Sequence, residues 1–220
     1  MIKKILCVLL LVLSRGFVGA MTKPSKIEWG FSDRQGDRET MEDAFFHEMI
    51  EISPGTTYPC FGLFDGHGGP HASKHVAAHF PSLFETYVKN EIPATGTPGM
   101  LDEVFKEGLK QCCVLVDQAL QLKYSKQGTT ALIGLVVDKS VYLAWVGDSR
   151  GLIFSHVSPK QEPILKMATV DHKPDSPLEL ERIGVKMLLV PKLLNILTVA
   201  RLSYIGLCIT LRHLSQDKSF

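Results

Sequence analysis

Strand patterns, then a pair of amphipathic helices, then strand patterns again predict an α+β layered domain rather than a series of βαβ units. The observations behind this are residue periodicities. Strand-like runs occupy 27–32, 43–52 and 60–64; apolar residues recur at helical spacing over 70–87 and 101–124; and β-branched runs resume at 130–137 and 141–146. At 220 residues the chain is long enough for one sizeable core. With 24 Lys+Arg against 23 Asp+Glu and no basic stretch interleaved with aromatics, nucleic acid is not an expected partner. Any polyanionic ligand must be recognised locally.

Lys3 and Lys4 precede an apolar run over 5–13 and the small residues Val18, Gly19 and Ala20, the layout of a signal peptide cleaved after Ala20. The run falls short of the roughly 20 residues that span a bilayer. The expected organisation is a signal-peptide-like leader over 1–20, a domain over 21–184 and a divergent hydrophobic tail over 185–220. A used leader implies the secretory pathway or secretion, and a start at Met21 implies the cytoplasm; an uncleaved anchor is the third option. Within the tail, 193–211 reads as a membrane segment except for Arg201, which costs about 2.5–3.5 kcal/mol near a helix centre. Membrane association is therefore not favoured.

Each element of the domain has its punctuation. Ser53-Pro54-Gly55 closes the second strand, and the third runs into Asp65-Gly66-His67-Gly68-Gly69-Pro70, where so many glycines imply a sharp bend or a close approach. Ala72, Val76, Phe80, Leu83, Phe84 and Tyr87 give the first helix one apolar face. Val104, Leu109, Val114, Leu115, Ala119 and Leu122 are the expected apolar side of the second. Asp138-Lys139-Ser140 breaks the later runs into a hairpin, further strands are expected over 151–156 and 164–169, and a short helix over 178–183.

Acidic residues stand where strands end. Glu42 and Asp43 open one strand, Asp65 follows another, and Asp148 sits in Val146-Gly147-Asp148-Ser149-Arg150. Hard divalent cations such as magnesium and manganese prefer carboxylate, carbonyl and water oxygens, which Glu42, Asp65 and the Gly66 carbonyl supply. His71, His75 and His79 recur every four residues and invite comparison with a zinc pair, but no acidic third ligand lies between them, and a solvated stripe explains them. The glycine-rich loop lacks the GK[ST] ending of a P-loop. No two of Cys7, Cys60, Cys112, Cys113 and Cys208 have CxxC spacing, so a zinc ribbon is excluded and Cys60, Cys112 and Cys113 are expected to be packing residues.

The order Arg38-x-Thr40-Met41-Glu42-Asp43, Phe64-Asp65-Gly66-His67-Gly68-Gly69, Gly128-Thr129-Thr130-Ala131, Val146-Gly147-Asp148-Ser149-Arg150 and Asp171-His172-Lys173-Pro174 resembles the type 2C metal-dependent serine/threonine protein phosphatases (the PPM family) over about 29–183. The resemblance implies a layered α-β-β-α sandwich with a two-metal site at one end. It implies that Asp65 bridges two magnesium or manganese ions, that Glu42 and the Gly66 carbonyl complete one of them, that Asp43 supports it through water, and that Asp148 is an outer or third-metal ligand. It further implies that Arg38 holds the substrate phosphate in a bidentate contact, that His67 protonates the departing oxygen, and that the substrate is a phosphoserine or phosphothreonine protein dephosphorylated by a monomer.

The family's pattern continues with motifs whose aspartates complete the second cation, and those motifs do not occur in this sequence. The resemblance therefore implies an incomplete second site and an incomplete sandwich, with exposed apolar faces and sheet edges. Two functional classes follow: a metal-dependent phosphatase, or a catalytically inactive phosphatase-like module that binds phosphoprotein or another partner.

Overall fold

The computed structural model describes Leu6–Ser14, 26–92, 98–138, 140–155, 162–173, 176, 177, 179, Asn195–Val199 and Gly206–Arg212. In chain order the elements are β1 (Leu6–Ser14), β2 (Lys26–Ser32), β3 (Ala44–Ser53), β4 (Thr56–Phe64), β5 (Gly66–His67), α1 (His71–Glu91), α2 (Pro98–Lys123), β6 (Gly128–Thr129), β7 (Ala131–Val137), β8 (Ser140–Val146), β9 (Arg150–Ser155), β10 (Ile164–Ala168), β11 (Asn195–Val199) and β12 (Gly206–Arg212). Two five-stranded sheets, β10-β9-β12-β1-β2 and β11-β8-β7-β4-β3, and a two-stranded ladder, β5-β6, account for the strands. Neighbouring strands run antiparallel. The α+β class and the strand–helix pair–strand order are as the periodicities predict.

Strands also fall in the two end segments. The apolar run expected as a leader core lies between β12 and β2 as β1, and β11 and β12 fall within the stretch expected as a divergent tail. No described helix is long and apolar enough to cross a membrane. The short helix expected over 178–183 lies almost wholly outside the described residues.

The second sheet has a different partner on each face. Toward the helices it presents Phe46, Phe64, Ile133, Leu135 and Tyr142, which form one cluster with Val76, Phe80 and Phe84 of α1 and Phe105, Leu109 and Val116 of α2. Phe46, Phe80 and Phe84 make a chain of stacked rings, 6.0 Å apart at each step. On the other face, where Phe61, Leu63, Leu132 and Leu143 are buried, Trp29 lies on His47 and Phe31 stacks on Phe45, joining β2 of the first sheet to β3 of the second. Among the described residues this gives the α-β-β part of the expected four layers.

The helix faces compare unevenly with their periodicity. On α1 the buried residues Ala72, Val76, Phe80 and Phe84 are the expected ones. On α2 the buried stripe is Phe105, Leu109, Cys112, Val116 and Leu120, whereas Leu115 and Leu122 are exposed. That helix carries two apolar stripes, and the aromatic ring of Phe105 decides which one turns inward by packing edge-on against Tyr58 and Tyr142.

Phe84 is fully buried in this cluster. Its replacement by alanine is expected to lower stability by about 3–5 kcal/mol, read from the urea midpoint at unchanged slope; a loss below about 1 kcal/mol would show that the helices do not pack on this sheet as described.

Candidate metal centre

The registers of the second sheet bring the acidic strand ends together. Ala44 pairs with Phe64, so Asp43 and Asp65 stand side by side one residue past the last pair of the β3–β4 hairpin. Leu63 pairs with Leu132 and, beyond it, Gly66 pairs with Thr129, which puts Thr130 opposite Asp65. Ala131 pairs with Val146, which puts Gly147 opposite Thr130. Asp43, Asp65, Thr130 and Gly147 thus form one row across the end of the sheet, and Asp148 is the next residue along.

Hydrogen bonds to the Asp65 backbone hold this row. Thr130 N–H donates to the Asp65 carbonyl oxygen at 2.9 Å, Asp65 N–H donates to Thr130 Oγ1 at 3.0 Å, and the Thr129 hydroxyl donates to the same Asp65 carbonyl at 3.1 Å. Thr130 Oγ1 also hydrogen-bonds the buried Ser149 hydroxyl. On the other flank, Ser73 in the first turn of α1 donates its hydroxyl to the Glu42 carbonyl. Gly66 has no room for a side chain, because a Cβ would run into that carbonyl and the Ser73 hydroxyl.

Two carboxylates meet here, and one of them is buried. Asp43 is buried, and its Oδ2 has no hydrogen-bond partner. Burial first, and the Asp65 carboxylate second, push the Asp43 carboxyl from 3.8 up to about 7, opposed in part by the Arg38 guanidinium. A hydrogen bond with Asp65 and the charge of Asp33 add to the rise. Such a pair fits a hard divalent cation, which would add positive charge beside both carboxylates. Magnesium in particular is commonly held by one or two carboxylates and otherwise keeps its waters.

The expected site residues are not all equally close. Asp43 and Asp65 are in contact, Arg38 is near enough to act on Asp43, and the Glu42 backbone abuts Gly66. Asp148 is linked to Asp65 through Ser149 and Thr130. Among the described residues, no three His, Cys, Asp or Glu side chains converge tightly enough to hold an ion by themselves. That applies equally to the histidines of α1: His75 and His79 stack at 4.0 Å, His71 and His75 lie against Tyr124, and no three-ligand group forms. The exposed His67 has its ring over Gly128, where a Cβ would strike Nε2. Burial pushes the Cys112 thiol up to about 12 and raises Cys60 as well, which leaves both as packing residues rather than nucleophiles.

A family model described as protein phosphatase 2C matches residues 27–202. The chain belongs to the protein phosphatase 2C family. It is similar to "Probable protein phosphatase 2C 55" of Oryza sativa subsp. japonica, 32% identical over 74% of this chain and 39% of that protein. It is also similar to "Protein phosphatase 2C 1" of Paramecium tetraurelia, 32% identical over 69% of this chain and 49% of that one. Among solved structures, a serine-threonine phosphatase 2C from Toxoplasma gondii superposes with a TM-score of 0.51 at 26% identity, covering 67% of this chain and 51% of that one. The chain thus spans less than half the length of the curated phosphatase 2C relatives it matches. Its mixed helices and antiparallel sheets agree with the α+β fold of the solved phosphatase 2C structure.

The threonines and Ser73 were not singled out from chemistry, since hydroxyl residues at strand ends and helix starts usually serve as turn formers and caps. The signal for the threonines lies in the Gly128-Thr129-Thr130 motif, which pins the Asp65 backbone, whereas Ser73 has none.

Two outcomes test this geometry. In chelator-treated protein, the raised Asp43 value means that its contribution to stability is fully present below about pH 4 and is lost as pH rises through about 7. Asp43→Asn is expected to flatten that part of the melting-temperature curve and to raise the melting temperature at about pH 8; parallel curves for the two proteins would refute the carboxylate pair. Thr130→Val leaves the Asp65 N–H without its acceptor and is expected to cost about 1–3 kcal/mol in urea unfolding, whereas Thr129→Val, which removes one of two donors to a carbonyl, is expected to cost less.

Proposed function

We propose that this chain forms the front part of a metal-dependent protein phosphatase that hydrolyses phosphoserine and phosphothreonine. The observation that carries the reading is the buried Asp43 carboxylate, unpartnered at Oδ2 and pressed against Asp65. Magnesium or manganese bound there would lower the pKa of water and offset charge on the phosphoryl oxygens.

The chain's own residues have separable tasks in this reading. Asp65, whose backbone is fixed by Thr129 and Thr130, offers its carboxylate to cations together with the Gly66 carbonyl. Glu42 and Asp43 supply the neighbouring negative charge, and Asp148 supplies an outer one. Arg38 grips the phosphate, because a planar guanidinium matches two phosphoryl oxygens at once. His67, exposed at the mouth and braced on Gly128, donates a proton to the departing serine or threonine oxygen.

The test is hydrolysis of p-nitrophenyl phosphate and of a phosphothreonine peptide with manganese. Turnover is expected to require the metal, to disappear with chelator and with Asp65→Asn, and to show a KM raised about ten-fold in Arg38→Lys with little change in kcat. Turnover that survives both chelation and Asp65→Asn would overturn the reading. Manganese binding without turnover would leave a phosphoprotein-binding module instead.

A further inference from the structure

Gly147, immediately before Asp148, lies in the left-handed region with φ +97°, and a Cβ there would collide with Thr130. In that conformation its peptide N–H and C=O need partners from outside the turn. One residue supplies both. His172 N–H donates to the Gly147 carbonyl oxygen at 2.9 Å, and Gly147 N–H donates to His172 Nδ1 at 3.3 Å. Nδ1 accepts only when it carries no proton, so the ring proton sits on Nε2.

The rest of the segment is stitched to the same turn. The His172 ring lies nearly parallel to Trp145, 19° off with centroids 6.4 Å apart, and the Trp145 indole N–H donates to the Val170 carbonyl at 3.0 Å. Arg150 forks onto both oxygens of Asp171 at 3.0 and 2.6 Å. Thr169 N–H donates to the Gly151 carbonyl, and Gly151 N–H donates to Thr169 Oγ1, each at 2.9 Å. The bonds fall before and after Asp148 in the chain, so its peptide is held from both sides.

We propose that His172 is a positioning residue for Asp148: by clamping both polar groups of Gly147, it sets the direction in which the Asp148 carboxylate leaves the turn toward a divalent cation. The inference rests on the reading of Asp148 as a cation ligand. Groups that orient a ligand without touching the metal typically alter its affinity by about 10–100-fold. Magnesium and manganese, which take oxygen ligands in near-octahedral order, are sensitive to such aim.

The test uses manganese binding to the full chain, followed by the electron paramagnetic resonance of free Mn2+, in the wild type, Asp148→Asn, His172→Phe and His172→Asn. Phenylalanine keeps a ring against Trp145 and removes the acceptor; asparagine returns an oxygen where Nδ1 stood. Asp148→Asn is expected to lose one class of manganese site, His172→Phe to weaken that same class by about ten-fold or more, and His172→Asn to regain most of it. If Asp148→Asn loses the site while His172→Phe binds like the wild type, the positioning role is overturned alone. If neither changes binding, the assignment of Asp148 falls with it. Equal losses in the phenylalanine and asparagine variants overturn the acceptor argument. Should His172→Phe fail to fold by circular dichroism, the asparagine variant and amide exchange at Gly147 in the wild type decide, since fast exchange of that N–H in the native chain overturns the clamp.

Discussion

Two carboxylates held in contact, with the Arg38 guanidinium only partly offsetting the charge at Asp43, impose the condition on which the rest of this fold depends. Asp43 and Asp65 are brought side by side by hairpin register, and burial of Asp43 makes the meeting unfavourable once both are ionised. Left to itself the strand end would relax and part them. The neighbouring hydrogen bonds oppose that relaxation: Thr129 and Thr130 take both backbone polar groups of Asp65, and Ser73 takes the Glu42 carbonyl. The scaffold thus stores an electrostatic cost at one place and stabilises it from several others.

The packing beneath that row explains why the strand end stays rigid. The second sheet is sandwiched between a helical layer, through the Phe46–Phe80–Phe84 rings, and the aromatic contacts that Trp29 and Phe31 make with β3. Strands buried on both faces have little freedom to slip, because a one-residue shift would exchange the side chains fitted to the helices with those fitted to the first sheet. Register is therefore fixed by hydrophobic burial, and register in turn aligns Asp43, Asp65, Thr130 and Gly147. Chemistry at the edge is a by-product of packing in the middle.

Most of this was legible in the residues, for unequal reasons. The β7–β8 hairpin and the buried face of α1 could be read because their periodicities are clean, and Asp65 stood out because glycines follow it. The inward stripe of α2 was misread, since Leu115 and Leu122 are as apolar as the residues that are buried and only tertiary contact with Phe105 separates them. Strand β1 carries an almost continuous Leu and Val run, which has neither a two-residue nor a 3.6-residue period, whereas β12 alternates Leu207, Ile209 and Leu211 with Cys208, Thr210 and Arg212, a strand signal that its place in an apolar tail obscured. The contact between Asp43 and Asp65 was readable only as a tendency of strand ends to converge; which carboxylate would be orphaned depends on burial, which no local window encodes.

The first sheet joins the extremes of the chain: Leu6 pairs with Arg212, and β12 lies between β1 and β9. During synthesis β1 can pair with β2 early, but its other edge must wait until β12 is made, whereas the β3–β4 and β7–β8 hairpins draw only on neighbouring strands. At about 5–20 residues per second, that interval lasts on the order of ten seconds or more. Throughout it, the edge of β1 that β12 will cover stays open, which makes that apolar edge a natural target for a holding chaperone and the place where a delay on the ribosome would most readily turn assembly into aggregation.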